Sequence, residues 1–574
     1  MPITLEGSTD WQATDRSPHS VHLVLVSDSA IEPDCQFTVR FGQFRGLWNG
    51  NWSCDTVTCS AGEAQITQNV PQAFHAFGTA RTVPNRQRLR FCVARVTQRI
   101  PAGATVTFAI TGQAQPFAPL AMYFSIWLLA PGADEATSLG DEVELCVVPG
   151  ESERFELRAA ASAIDGRVAV RMLHTDACGN PTDDLDGRLE AAAGIAQASD
   201  EAVTFADDVP SVFRLTATSR QARATSGPIL TKPLAGHWHL FGAMHFHTEF
   251  SADGDRRLEQ AYAYARDCLR LDFCAVSDHT PRDHWEETQR INEAFYEPGR
   301  FVTIPAWEWS TNIGHANIYM RSAEVDAGPN SAACAGAGHP ADAVWPNDAI
   351  VIPHHTNIRS NEKRADGRHF WHEYDWSKRN DRIRLVEVAQ TRGNFEADKI
   401  DEEWGIVTCN IGASGRDALA MGYGIGMVGG TDNHGGYPTR HMDGRYLGMT
   451  GVLANERTRE AVWDALNARR CYATTGLPIV CHFAINDAVM GSEITLAKGA
   501  RPRACIRLHG TSLIERVEVI SDNSCIWSAD PRVMDFECDV QLPPQSGASA
   551  YYYVRLRQAD GHRAWTSPIW VDHA

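Results

Sequence analysis

The chain has 574 residues, 43% of them hydrophobic, a globular composition too long for one core and expected to divide into about two to four domains. A formal net charge of −19 argues against a nucleic-acid groove, which needs a basic footprint, but not against a small anionic substrate, because bound cations reverse a local potential. No apolar run approaches the roughly 20 residues of a membrane span. The opening Met1-Pro2-Ile3-Thr4-Leu5-Glu6 lacks the basic and apolar regions of a signal peptide, so a cytoplasmic protein without membrane contact is expected. The 15 cysteines fall at scattered spacings with no CxxC, and read as reduced thiols packed as small hydrophobes.

Residues 1–230 read as a β-rich region of one or two domains. Val21 to Val26, Gln36 to Phe41 and Ala104 to Ile110 are short β-prone runs punctuated by Gly, Pro and Asp. From 231 the pattern changes. Leu258, Ala261, Tyr262, Ala265 and Leu269 recur at helical spacing, and Glu456 to Arg469 is a second helical stretch. Strands are predicted at Leu271 to Val276, Phe301 to Ile304, Ala316 to Met320, Ala349 to Ile352, Ile383 to Val388 and Ile425 to Val428. Alternating strands and helices imply an α/β sheet or barrel over 231–478. Residues 479–574 turn β-like again, as in Cys481 to Asn486 and Tyr551 to Leu556, and predict a small antiparallel β-sandwich.

Metal-ligating residue types gather where the middle strands end. His245-Phe246-His247 comes first, followed by Ser251 and Asp253. In an extended strand both imidazoles point to one face and can reach one ion. Asp278-His279, Glu308, His315, His354-His355, and Asp432 with His434 follow at successive strand boundaries. Functional groups of α/β barrels gather at such carboxyl ends. Zinc, manganese and iron all take imidazole and carboxylate ligands. A bridging carboxylate such as Glu308 lets two ions sit about 3.5–4 Å apart for hydrolysis. His-x-His alone is a weak signal, since His237-Trp238-His239 is another case just upstream.

The stretch His245 to Gly254 resembles the first motif of the polymerase-and-histidinol-phosphatase (PHP) superfamily. Ala275-Val276-Ser277-Asp278-His279-Thr280 resembles the second, Ile352-Pro353-His354-His355 the third and Gly430-Thr431-Asp432-Asn433-His434 the fourth. Ala306-Trp307-Glu308-Trp309-Ser310, Gly314-His315-Ala316-Asn317 and Ala564 to Val571 are similar to a DUF3604-type subgroup with a β-rich C-terminal extension. The resemblance covers roughly 236–478. It implies a distorted seven-stranded α/β PHP barrel holding two to three divalent ions, flanked by the β-rich N-terminal region and the C-terminal β-sandwich. One ion would take His245, His247, Glu308 and Asp432, a second Glu308, His315 and His354, and a third Asp253, His279 and His434. His354 is preferred to His355 because it directly follows the strand. Family members often carry an acid two residues before the first histidine; Ala243 stands there, which removes an outer partner and leaves ligation intact.

The function so implied is a metal-dependent hydrolase, a phosphoesterase acting on a small-molecule phosphomonoester or phosphodiester. A metal-bound hydroxide, formed near neutral pH, would attack phosphorus in line. Arg359, Arg392 and Arg440 are candidate phosphate clamps, and His279 and His434 count with the catalytic groups as well as the ligands. The leaving group would take its proton from a nearby histidine or a metal-bound water. Two alternatives stand beside this reading: hydrolysis of a carboxyl ester, lactone or amide at the same centre, and a non-catalytic glycan- or partner-binding protein.

Overall fold

In the strand Thr105–Gln113, Val106, Phe108 and Ile110 are buried and the residues between them are partly exposed. That period of two is what a sheet covered on one face requires. The computed structural model describes residues 1–15, 17–41, 52–69, 89–114, 118, 120–220, 222–251, 254, 256–279, 284–311, 314–322, 338–358, 374–398, 412–440, 447–543, 547 and 549–574, and the strand and helix counts are of these residues. Thr105–Gln113 lies in a four-stranded sheet between Pro18–Val26 and Ser53–Cys59. A seven-stranded sheet shares its core, where Leu23, Phe37, Phe108 and Phe124 meet. Residues from Phe155 to Ile229 build a second core, with Val170, Val203 and Leu215 between a four-stranded and a three-stranded sheet. The first 230 residues therefore hold two cores.

The middle of the chain departs from expectation. Trp238–Ala243, Phe273–Cys274 and Val302–Thr303 are parallel neighbours. Met449–Ala454 then pairs antiparallel with the first of them. Ala306–Ser310, His315–Met320 and Ala349–His354 form a separate antiparallel sheet. Leu385–Gln390 runs parallel to Gly426–Gly429.

The expected distorted seven-stranded α/β barrel is overturned. Strand makes up 49% of the structure and helix 9%, and no barrel closes among the described residues, whereas such a barrel would be mostly helical. The reason lies in the connections. Ser310 pairs antiparallel with His315, which leaves four residues between the two strands, while a parallel crossover needs a dozen or more. The described helices are short: Leu258–Ala263 running into a π turn at Tyr264–Cys268, Trp285–Phe295, Gly415–Ala420 and Arg459–Asn467. The expected C-terminal β-sandwich is joined to the middle region by strand pairing. Cys471–Thr474 pairs with Arg563–Thr566, which carries the middle region's sheet on into a continuous 14-stranded sheet. Phe241, Tyr472, Phe483, Val519 and Tyr552 share one core across that seam. Among the described residues no helix is long and apolar enough to cross a membrane.

Candidate metal centre

His245 and His247 lie just past Trp238–Ala243, with their rings 5.5 Å apart. The backbone there holds a second segment alongside. The amides of Thr431 and Asp432 donate to His245 O at 3.0 Å each, and the His247 amide donates to Asn433 O at 2.8 Å. Asp432 and His434 are thus delivered beside the histidine pair. Glu308 occupies the middle of Ala306–Ser310, and the register sets Ser310 opposite His315 and His315 opposite His354.

The Glu308 carboxylate, 1% exposed, is the hub. Its Oε2 lies 3.1 Å from His247 Nε2 and 3.4 Å from His245 Nε2. Its Oε1 lies 2.6 Å from His315 Nδ1, 3.4 Å from His354 Nε2 and 3.5 Å from His279 Nδ1. Asp432 Oδ1 stands 3.0 Å from His434 Nε2 and 3.3 Å from His247 Nε2, and Oδ2 faces His355 Nε2 at 3.9 Å. Three groups have ligand atoms within 4.8 Å of one another: His245, His247, Glu308 and Asp432; His315, His354 and His355; and His247, His279 and His434. Asp432 and His355 both sit at positive φ, +53° and +37°, a conformation uncommon for non-glycine residues.

The donors suit divalent cations. Nε2 of His245 and both ring nitrogens of His354 are buried without a hydrogen bond. Such atoms cost about 1–3 kcal/mol each, a cost that a cation on the lone pair removes. Burial pushes His315 and His354 down to about 4, so both are neutral imidazoles, the ligating form, at neutral pH. Burial alone would raise Glu308, but the imidazoles of His279, His354 and His315 hold it well below the usual carboxylate range. For His245 burial is outweighed by the Glu387 carboxylate, and its pKa rises to about 9, so a cation at Nε2 would have to displace a proton there.

An outer layer orients these ligands. Ser251 Oγ lies 3.0 Å from His247 Nδ1 and donates to Asp278 Oδ1 at 2.9 Å. Asp278 also accepts from Thr248 N at 2.6 Å and Thr248 Oγ1 at 2.7 Å. His279 Nδ1 meets Ser310 Oγ at 2.9 Å, and Ser310 donates to Glu308 Oε1 at 2.9 Å. Glu387 accepts from His245 Nδ1 and, at 2.9 Å, from Gln390 Nε2. Sequence reasoning passed over Glu387. Its signal was a lone acid in the wholly buried run Leu385–Gln390. Gly430 makes room for it, since a Cβ there would stand 2.0 Å from Glu387 Oε2.

Of the residues singled out in sequence, Asp253 and Arg359 lie outside the described residues. His355, ranked behind His354, joins it and His315 in one group. His279 and His434 meet on His247, with ring centroids 4.4 and 4.0 Å from it. Arg392 contacts Asp432 Oδ2, lies 3.3 Å from Gln390 Oε1 and keeps 30% of its side chain exposed. Arg440 is 1% exposed and donates to Gly179 O, to Cys178 O and, at 2.9 Å, to Tyr264 Oη. His237 bonds its own backbone neighbour Ala235 O at 3.2 Å, and His239 bonds Tyr472 Oη at 3.1 Å; neither joins a ligand group.

Comparison with known proteins adds a family match without a function. A family described as "Protein of unknown function (DUF3604)" matches residues 269–403 and 441–486. That span takes in His279, Glu308, His315, His354 and Glu387 and leaves out His245, His247 and Asp432. An uncharacterized protein of Chlamydia pneumoniae is 27% identical over 376 residues, covering 58% of this chain and 57% of its own length. One from Chlamydia trachomatis serovar D is 26% identical over 411 residues, covering 63% and 62%. The chain thus spans about three-fifths of the relatives it matches. Among solved structures, a Parabacteroides merdae β-glucuronidase aligns at 8% identity and a TM-score of 0.20, over 100% of this chain and 64% of that one. At that score neither fold nor function carries over.

Proposed function

We propose that the chain is a metal-dependent hydrolase acting on a phosphomonoester or phosphodiester of a small molecule. The observation that carries this reading is the division of Glu308, with His245 and His247 on one carboxylate oxygen and His279, His315 and His354 on the other. A carboxylate so placed could serve two cations, one at each oxygen. Two to three divalent ions, zinc, manganese or iron, fit the donor set. When bound, such ions lower the pKa of a coordinated water toward about 7 and neutralise charge on phosphoryl oxygens.

The chain's own residues do the rest. His245, His247, Glu308 and Asp432 would hold one ion. His315, His354 and His355 would hold a second with Glu308, and His279 and His434 would complete a third place around His247. Arg392, partly exposed beside Asp432, offers planar N–H donors to a phosphate oxygen. Clustered cations favour a charged phosphate over a neutral amide. The likeness of four sequence motifs to those of the PHP superfamily supports the same chemistry. A surface with net charge −19 disfavours a long polyanion as substrate.

The test is a substrate panel on protein stripped with chelator and reloaded with manganese or zinc. p-Nitrophenyl phosphate and bis-p-nitrophenyl phosphate should be cleaved, with competitive inhibition by inorganic phosphate. Cleavage of a carboxyl ester or amide alone, indifferent to phosphate, would replace the phosphoesterase reading.

A further inference from the structure

The segment that brings Asp432 and His434 to the centre continues to Arg440, and its far end is fastened to the amino-terminal β region. Tyr437, fully buried, donates from Oη to Ala118 O at 3.0 Å. The Arg256 guanidinium lies over its ring at 3.8 Å and donates to the same hydroxyl. Three residues on, Arg440 donates to the carbonyls of Cys178 and Gly179 and to Tyr264 Oη. Asn433, between the two ligands, ties the segment to itself: its Nδ2 donates to Arg440 O at 2.7 Å and its Oδ1 accepts from Gly435 N at 2.7 Å.

The receiving surface is itself tied together by hydrogen bonds. Cys178 and Gly179 belong to a turn organised by Asp176, which is buried and accepts from Asn180 N at 2.8 Å and from Asn180 Nδ2 at 3.0 Å. Asn180 Oδ1 in turn accepts from Ala118 N at 3.0 Å, so both anchor points, Ala118 and Cys178–Gly179, belong to one network. Asp176 Oδ2 also accepts from Gly150 N at 2.9 Å, which ties that network to the link between the two amino-terminal cores. Gly179 sits at φ +79°, and a Cβ there would stand 1.9 Å from Arg440 Nη2. The turn is shaped around the guanidinium.

We infer that the amino-terminal β region is a working part of the metal centre: it clamps the Asp432–Arg440 segment through Tyr437 and Arg440, which act as positioning residues for Asp432 and His434. The inference rests on the metal-centre reading. A buried guanidinium bonded to the oxygens of Cys178, Gly179 and Tyr264 cannot let go of them without leaving donors unmet, so these bonds favour one placement of the segment. Ligands held on such a segment need no reordering when an ion arrives, and outer partners of this kind commonly govern about 10–100-fold in metal affinity.

Cobalt(II) titration of the chelator-stripped full chain tests this, read by the visible ligand-field bands, with hydrogen exchange of amides 431–440 alongside. Arg440→Met and Gly179→Ala should weaken cobalt binding about tenfold or more, shift the bands and raise exchange in the segment. Tyr437→Phe, which removes one hydroxyl, should move all three readouts less and in the same direction. Val106→Ala, in the core shared by the first two amino-terminal sheets and paired with Leu25 and Cys59, should lower the unfolding temperature and leave the cobalt bands alone. Variants of Arg440 and Gly179 with wild-type bands and affinity overturn the inference and leave the centre standing. A wild-type chain that takes up no cobalt overturns the centre and the inference together.

Discussion

His245 Nδ1 lies 2.9 Å from Glu387 Oε2, with both side chains buried and the two residues 142 positions apart in sequence. A carboxylate can only accept, so Nδ1 carries the hydrogen and Nε2 is turned toward Glu308. Glu387 therefore chooses which nitrogen is offered to an ion, and the close packing at Gly430 keeps it there.

Removing Glu387 should weaken the centre without removing a ligand. Glu387→Ala is expected to lower manganese or zinc affinity by about 10–100-fold. Glu387→Gln, which keeps the shape and an acceptor oxygen, should lose less. Calorimetric titration of the stripped protein measures both. Equal affinity in Glu387→Ala and wild type would show that the contact does not tune the ligand.

Glu308 is the stronger case, because its two oxygens serve two groups. The wild-type chain should carry two to three divalent ions by elemental analysis. Glu308→Gln should lose at least one of them together with hydrolysis, while His237→Ala should lose neither, since His237 bonds only its own turn. Identical metal content and activity in the two variants would remove Glu308 from the centre.

The gathering of His245, His247, Glu308, His315, His354 and Asp432 was legible in sequence because ligand types stood at successive strand boundaries. The architecture was not. A buried run such as Ala349–His354 reads the same whether its neighbour is parallel or antiparallel, and its antiparallel partner His315–Met320 is decided by long-range pairing. The helical spacing from Leu258 to Leu269 was real, yet the helix gives way to a π turn at Tyr264. Trp565 appeared only as part of a tail motif. In the structure it donates to Glu396 at 2.7 Å, across the seam that the sequence had taken for a domain boundary.

That seam predicts a stability effect. Glu396 is 0% exposed and accepts from Arg416 Nη2 at 2.9 Å, Arg555 Nη1 at 3.2 Å and Tyr553 Oη at 2.5 Å. Arg416 pairs with this carboxylate, and Arg555 divides itself between it and Glu518 Oε2, 2.6 Å from its Nε. Glu396→Ala should destabilise by about 3–5 kcal/mol, the usual result of leaving buried charges uncompensated. Urea unfolding measures it, and a loss below about 1 kcal/mol would mean that water restores the balance.

The last prediction concerns acid. His482 lies on Val480–Ile485, is 2% exposed, and has its Nδ1 buried without a hydrogen bond. Burial, with His237 and the Arg507 guanidinium nearby, pushes its pKa from 6.5 to about 4. His239, buried across the same core, is also held well below its ordinary value. Arg507 is itself paired with Glu537 at 3.2 Å and Asp539 at 3.0 Å, so nearby acids are already engaged with it. Between pH 6.5 and about 4 the unfolded chain binds a proton at residue 482 that the folded chain refuses. Stability from this group is therefore complete above pH 6.5 and is lost as pH falls toward about 4, on the order of 3 kcal/mol in full. His482→Gln removes the titration and keeps a polar side chain of similar reach. Its urea midpoint should match wild type within a small constant offset above pH 7 and fall less steeply below pH 6.5, by about one proton in slope. Parallel curves for wild type and His482→Gln across that window would place the acid sensitivity elsewhere, with His239 the next buried imidazole to substitute.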